Sequence, residues 1–127
     1  MKILVLIARI LLGLVFFAFG LIAFLPFVPK GPMPTGLAGQ FVTALVQSHY
    51  GLVVSALQIV GGVLLLVNRY VPLGLTILGP IIVNILLYHL LLYPMGVGIA
   101  MIVAILWGIV AFYHRKSFAG LFVQKAP

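Results

Sequence analysis

The chain has 127 residues, 65% of them hydrophobic, with seven Lys plus Arg, no Asp or Glu and no Cys. A soluble domain carries roughly a quarter charged residues; here the share is 6%, and a mean hydropathy of +1.41 is far too high for a disordered chain. Carboxylate catalysis, thiol chemistry, disulfides and Cys-based zinc sites are excluded because no side chain could carry them.

A membrane-spanning helix needs about 20 mostly apolar residues. Four such spans fit the length and leave short turns, one longer loop and a tail. The expected fold is a single all-α domain over 1–127: a four-helix membrane bundle with a short amphipathic helix in its first loop.

The first span is expected at about 3–25, with Arg9 as its only charge. It exceeds the roughly 7–15 apolar residues of a signal-peptide core, and no small-x-small cleavage site follows. It therefore reads as a retained helix ending before Pro26. Residues 26–36 hold Pro26, Pro29, Pro32 and Pro34, so they cannot continue a helix and form an extended loop. From Leu37 to Ser48 the apolar Leu37, Phe41, Ala44 and Leu45 share one helical face and Gln40, Thr43 and Gln47 the other. This short helix is expected at the membrane surface or against the mouth of the bundle, within an outer loop of 26–49.

The second span is expected at 50–67, followed by a tight turn at Asn68 and Arg69. The third runs from 71 to 93, with Pro72 in its first turn and Pro94 ending it. The fourth runs from 96 to 113. The tail, 114–127, is basic and partly apolar, and Phe118, Leu121 and Phe122 suit the headgroup region.

With four spans, Lys2, Arg69, Arg115, Lys116 and Lys125 fall on one side, Arg9 lies nearest the same side, and Lys30 alone falls on the other. The positive-inside rule then puts both termini in the cytoplasm. Three spans would separate Lys2 from the basic tail and weaken the bias. Tyr50 and Tyr93 at one end, and Tyr70 and Tyr113 at the other, suit interfacial belts. Anionic lipid is the expected partner of the basic face. That lipid is nearer to the charges than any nucleic acid.

Small residues let membrane helices approach closely. The expected packing positions are Gly13 and Gly20 in the first span, Gly61 and Gly62 in the second, and Ala104 and Gly108 in the fourth. Polar groups inside a membrane are costly and often functional, which makes Arg9, Gln58, Asn84 and His89 the candidate polar site. Gln58 and Asn84 are each 13 residues from Val71, so a hairpin centred there puts them at equal depth, where their amides bond each other or share a site. Arg9 has no acidic side chain to pair with. Snorkelling to the interface or a lipid contact is the leading reading, with backbone carbonyls, an amide, the C-terminal carboxylate or another subunit as alternatives. Two histidines at matched depth can hold a haem, but the same hairpin matches His89 with position 53 and not with His49. Pro80 frees the carbonyl of Thr76, a possible acceptor near Asn84. No metal site is expected.

Several of these residues carry a resemblance. ARILLGLVFFAFG in the first span, the Gly61–Gly62 pair, the Arg-Tyr-Val-Pro turn and the spacing of Asn84 and His89 in NILLYH resemble the DoxX family of small bacterial membrane proteins. The chain departs from that family's pattern where it has Gln58 in place of a common Glu, and Leu21–Phe24 where a Lys is common. The resemblance implies a bacterial inner membrane as the location and association with membrane redox or stress-response complexes. Three functions follow as expectations. The first is a non-catalytic membrane subunit or scaffold of such a complex, with redox protein subunits as partners. The second is a quinone- or quinol-binding subunit of an oxidoreductase; quinone is the one cofactor considered. The third is a small transporter or channel, which four helices would need to form by homo-oligomerising.

Overall fold

A computed structural model describes residues 2–26, 28 and 31–125. Among them the chain is all helical, with no strand. The helices are α1 (Lys2–Ile22), α2 (Gly36–Gln47), α3 (Tyr50–Leu66), α4 (Val71–Leu91) and α5 (Val97–Tyr113), followed by a 3-10 segment, Arg115–Phe122. Lys30 and Pro29, on which the loop and charge readings partly rest, lie outside the described residues.

The helix ends follow local chemistry. α1 stops at Ile22, short of the expected Leu25. The amides of Phe24 and Leu25 bond back to Leu21 and Ile22 at 3.0 and 3.1 Å, so the last turn tightens ahead of Pro26, which disfavours a helical Leu25. At the end of α3, Asn68 takes the left-handed region with φ 56. The Asn68 amide bonds the Leu65 carbonyl at 3.3 Å and the Arg69 amide bonds the Leu64 carbonyl at 3.1 Å. This is a Schellman closure with Asn in the position usually held by Gly.

α2 meets α3 at an 80° corner. Ser48 makes that corner: its hydroxyl donates to the Ala44 carbonyl at 2.6 Å and accepts the Tyr50 amide at 3.2 Å, while His49 turns the chain at φ 63. A similar bend of 82° separates α5 from the 3-10 segment, an element absent from the sequence reading.

α1, α3, α4 and α5 pack as a ring. α1 and α4 each touch both α3 and α5, and α2 lies on α3. Glycine sets the α1–α3 contact. A Cβ on Gly62 would lie 2.7 Å from the Phe17 amide nitrogen and 2.8 Å from the Gly13 carbonyl; one on Gly20 would lie 2.7 Å from the Ser55 carbonyl. Backbone faces backbone there, and any side chain forces the helices apart. At α3–α4, Gly61 receives Leu78, which a Cβ would meet at 2.7 Å. At α4–α5, Trp107 seats over Gly79 and donates its indole N–H to the Leu75 carbonyl at 2.9 Å. Leu12, Phe16, Leu65, Leu75, Leu78 and Val110 fill the centre.

Gly108 does not pack. A Cβ there would meet nothing within 4 Å. The inward face of α5 carries Ala100, Val103 and Val110, with Trp107 beside them. Gly108 follows Trp107 by one residue and so points about 100° away. Ala104 does pack against the core.

The outer surface is apolar. Ile3, Leu4, Ile7, Leu14 and Phe19 of α1 and Leu73, Val83, Leu87 and Leu91 of α4 are exposed. The accessible surface is 8666 Å², against about 6,600 Å² for a soluble protein of this mass. α1 and α4, with 21 residues each, are long and apolar enough to cross a membrane; the number of candidate spans rises to four if each bent helix pair is one span.

Candidate functional site

The four polar residues singled out in the sequence separate into two places. Arg9 sits at the end of the ring that holds the start of α1 and the end of α3. Gln58, Asn84 and His89 lie towards the other end.

Arg9 has partners inside the chain. Its guanidinium donates to the carbonyl of Leu65 and reaches that of Leu66 at 3.5 Å. These are the last carbonyls of α3, left without amide partners inside the helix, where the helix dipole also favours a cation. Arg9 is therefore a cap supplied by a neighbouring helix. His114, at the end of α5, lies near it: burial first, and the Arg9 charge second, hold its pKa below the ordinary histidine value of 6.5. Beside it, Arg115 bonds the Phe112 carbonyl at 2.9 Å and stacks over that ring at 4.4 Å.

At the other end, Gln58 and His89 line two cavities. The larger, about 630 Å³, lies beneath α2 between α3 and α4. Phe41, Leu45, Val54 and Ile81 are among its apolar walls, and Ser48, Gln58, Asn84, Tyr88 and His89 supply its polar groups. The smaller, about 290 Å³, is lined by Phe16, Phe19, Ile99, Ala100 and Val103 of α1 and α5, together with Gly96. Gln58, Ile85 and His89 line both and form the wall between them.

The structure thus brings Gln58, Asn84 and His89 to one cavity. It does not pair the two amides. Among the described residues no hydrogen bond joins them, and Asn84 donates instead to the Pro80 carbonyl of its own helix at 2.9 Å. The physical reason is register. The turn lies between Leu66 and Val71, so the hairpin centres on Asn68–Arg69 and not on Val71, and Gly61 meets Leu78. Asn84 therefore lies roughly one helical turn beyond the level of Gln58. The same shift puts His89 level with Ser48–Tyr50 and not with Val53. His49 is nonetheless exposed and lines neither cavity. Thr76 bonds the Pro72 carbonyl at 2.8 Å, and the Asn84 amide uses Pro80 in place of the freed Thr76 carbonyl.

His89 is held. Its Nδ1 lies 2.8 Å from the Ile85 carbonyl, an oxygen that only accepts, so Nδ1 carries the hydrogen. Its Nε2 lies at the Gly96 turn, where an added Cβ would come within 3.1 Å of it. Gly96, with φ 88, is needed twice, for its conformation and for this close approach. Phe41 of α2 stacks on Tyr88 at 5.7 Å, and Tyr88 meets Tyr93 at 6.2 Å, which pins α2 over the larger cavity.

The sequence reading missed Trp107 and Gly96. Both had a signal: a lone indole N–H in an apolar helix requires an acceptor, and a glycine after Pro94 marks a turn. No family model, curated protein or solved structure matches the chain.

Proposed function

We propose that this chain is a four-span membrane protein of the DoxX type, and that it holds the head of a quinone-class molecule in the cavities at Gln58 and His89. α3 and α5, with 17 residues each, are about 26 Å long and reach the lower limit for crossing a membrane. The termini, Arg69 and the basic tail would face the cytoplasm of a bacterium. Arg115, Lys116 and Lys125 would meet anionic lipid there, with the 3-10 segment lying along the surface.

One observation carries the ligand reading. The two cavities share a wall of Gln58, Ile85 and His89, so neutral hydrogen-bonding groups stand among apolar walls, and among the described residues no charged side chain lines either space. Such lining suits a neutral ring with polar substituents and an apolar tail. With no Cys in the sequence, thiol-based electron transfer would fall to a partner, and this chain would be the binding subunit of a redox complex.

Titration of the detergent-purified protein with a decylated 1,4-benzoquinone tests the ligand. Saturable binding is expected, weakened about tenfold in Gln58→Leu; absence of binding overturns the reading. Topology is tested separately, because a chain without Cys is ready for single-cysteine labelling. Cysteines at Lys2, Arg69 and Ser117 should label from the cytoplasmic side and those at Met33 and Met95 from the other. Any mixture of the two sets contradicts four spans.

A further inference from the structure

Resting on the quinone-class reading, we propose that the smaller cavity selects the reduced, hydroxyl-bearing form of its ligand, and that His89 is the residue that selects. The selection follows from which ring nitrogen is free. The Nδ1–H of His89 donates to the Ile85 carbonyl at 2.8 Å, and this fixes the tautomer. In the neutral imidazole the other nitrogen, Nε2, then has a lone pair and no hydrogen, so it accepts and cannot donate. Nε2 lies beside Gly96, a residue of the smaller cavity and not of the larger.

Gln58 in the shared wall does not discriminate, because a primary amide both donates and accepts. The remaining lining named for this cavity is apolar: Val15, Phe16, Phe19, Ile85, Ile99, Ala100 and Val103 around Gly96. A quinone carbonyl facing Nε2 would place two acceptors against each other in an apolar space, an arrangement that leaves both unpaired. A hydroquinone O–H facing Nε2 makes a hydrogen bond. The volume, about 290 Å³, lies near the lower end of ordinary ligand cavities and suits one ring, with the tail leaving along the apolar wall.

The test compares three probes under argon on the whole purified protein: 2-decyl-1,4-hydroquinone, the matching benzoquinone, and the dimethyl ether of the hydroquinone, which has no hydroxyl. The hydroquinone is expected to bind about five- to tenfold more tightly than either of the others, the worth of roughly one hydrogen bond. His89→Phe should remove that preference, so that the hydroquinone binds no more tightly than the benzoquinone. Equal binding of all three probes, tighter binding of the quinone, or a preference that survives in His89→Phe overturns the selection while leaving the ligand class standing. No binding of any probe overturns the ligand class itself. Nitrogen NMR of 15N-histidine-labelled protein in liposomes reads the tautomer without any variant, and a His89 protonated at Nε2 alone contradicts the proposal.

Discussion

The two ends of the helical ring handle polarity in opposite ways. At the Arg9 end, the charged group is spent on backbone: the guanidinium bonds the Leu65 carbonyl, which also accepts the Asn68 amide, and the Arg69 amide closes the Leu64 carbonyl. Glycines at 13 and 62 bring α1 and α3 together with no room between them. At the other end, Gln58 and the Nε2 of His89 have no hydrogen bond among the described residues, and both residues border two cavities. The lesson is that a polar residue in an apolar helix is not one kind of signal. Where a helix end stands beside it, the residue becomes a cap; where it borders a cavity, it is left facing space.

The largest effect that sharpens this contrast is expected at the closed end. Gly62→Leu would push a side chain into the backbone of Phe17 and Gly13. A loss of about 3 kcal/mol or more is expected, seen as loss of monodisperse protein in detergent. Gly108→Leu is its control, because that position is open, and its melting temperature should match wild type. Comparable damage from both would mean that the glycines do not set the α1–α3 contact.

Next comes the cap. Arg9→Met leaves the end of α3 without its charged donor and is expected to cost about 1.5–3 kcal/mol, measured by thermal melting. Arg9→Lys should lie between, since a single ammonium lacks the guanidinium fork. An unchanged melt in Arg9→Met would mean that these bonds contribute nothing to the fold.

A smaller effect is expected from pH. Burial and the Arg9 charge hold His114 below 6.5, so the folded chain binds that proton less readily than the unfolded one. Stability from this group is therefore full above pH 6.5 and falls as pH drops through 6.5 towards the lowered folded value. Melting temperature should decline on acidification, and His114→Asn should flatten the decline. The smallest effect is expected at Asn84, which is exposed and bonded within its own helix. Asn84→Ala should change the melt by less than about 0.5 kcal/mol.

These contrasts bear on what could be read in the sequence. The helices were legible because apolar runs of spanning length and punctuating prolines are local signals, and every expected helix is present within a few residues. The inward glycines at 13, 20 and 62 were legible from their spacing, and Gly61 only as the neighbour of Gly62. Gly108 was not, because a small residue says nothing about which face a ring of neighbours will cover. The Arg9 partner was hidden too: a carbonyl is present at every residue, and only tertiary packing brings the end of α3 to it. The depth of Asn84 went astray by one turn because the hairpin centre was read from Val71, while Asn68 in the left-handed region moves the turn earlier. The cavities had no sequence signal, since a void is made by residues from four helices that only meet when folded.

The most direct measurement compares ligand affinity and melting temperature on the same samples of wild type, Gln58→Leu and Arg9→Met, with the decylated 1,4-benzoquinone as probe. The expected result is a split: Gln58→Leu loses about tenfold in affinity with its melt unchanged, while Arg9→Met loses stability and, once folded, still binds. If Gln58→Leu instead melts lower and the wild-type protein shows no saturable binding, the two ends are alike, and Gln58 serves packing alone.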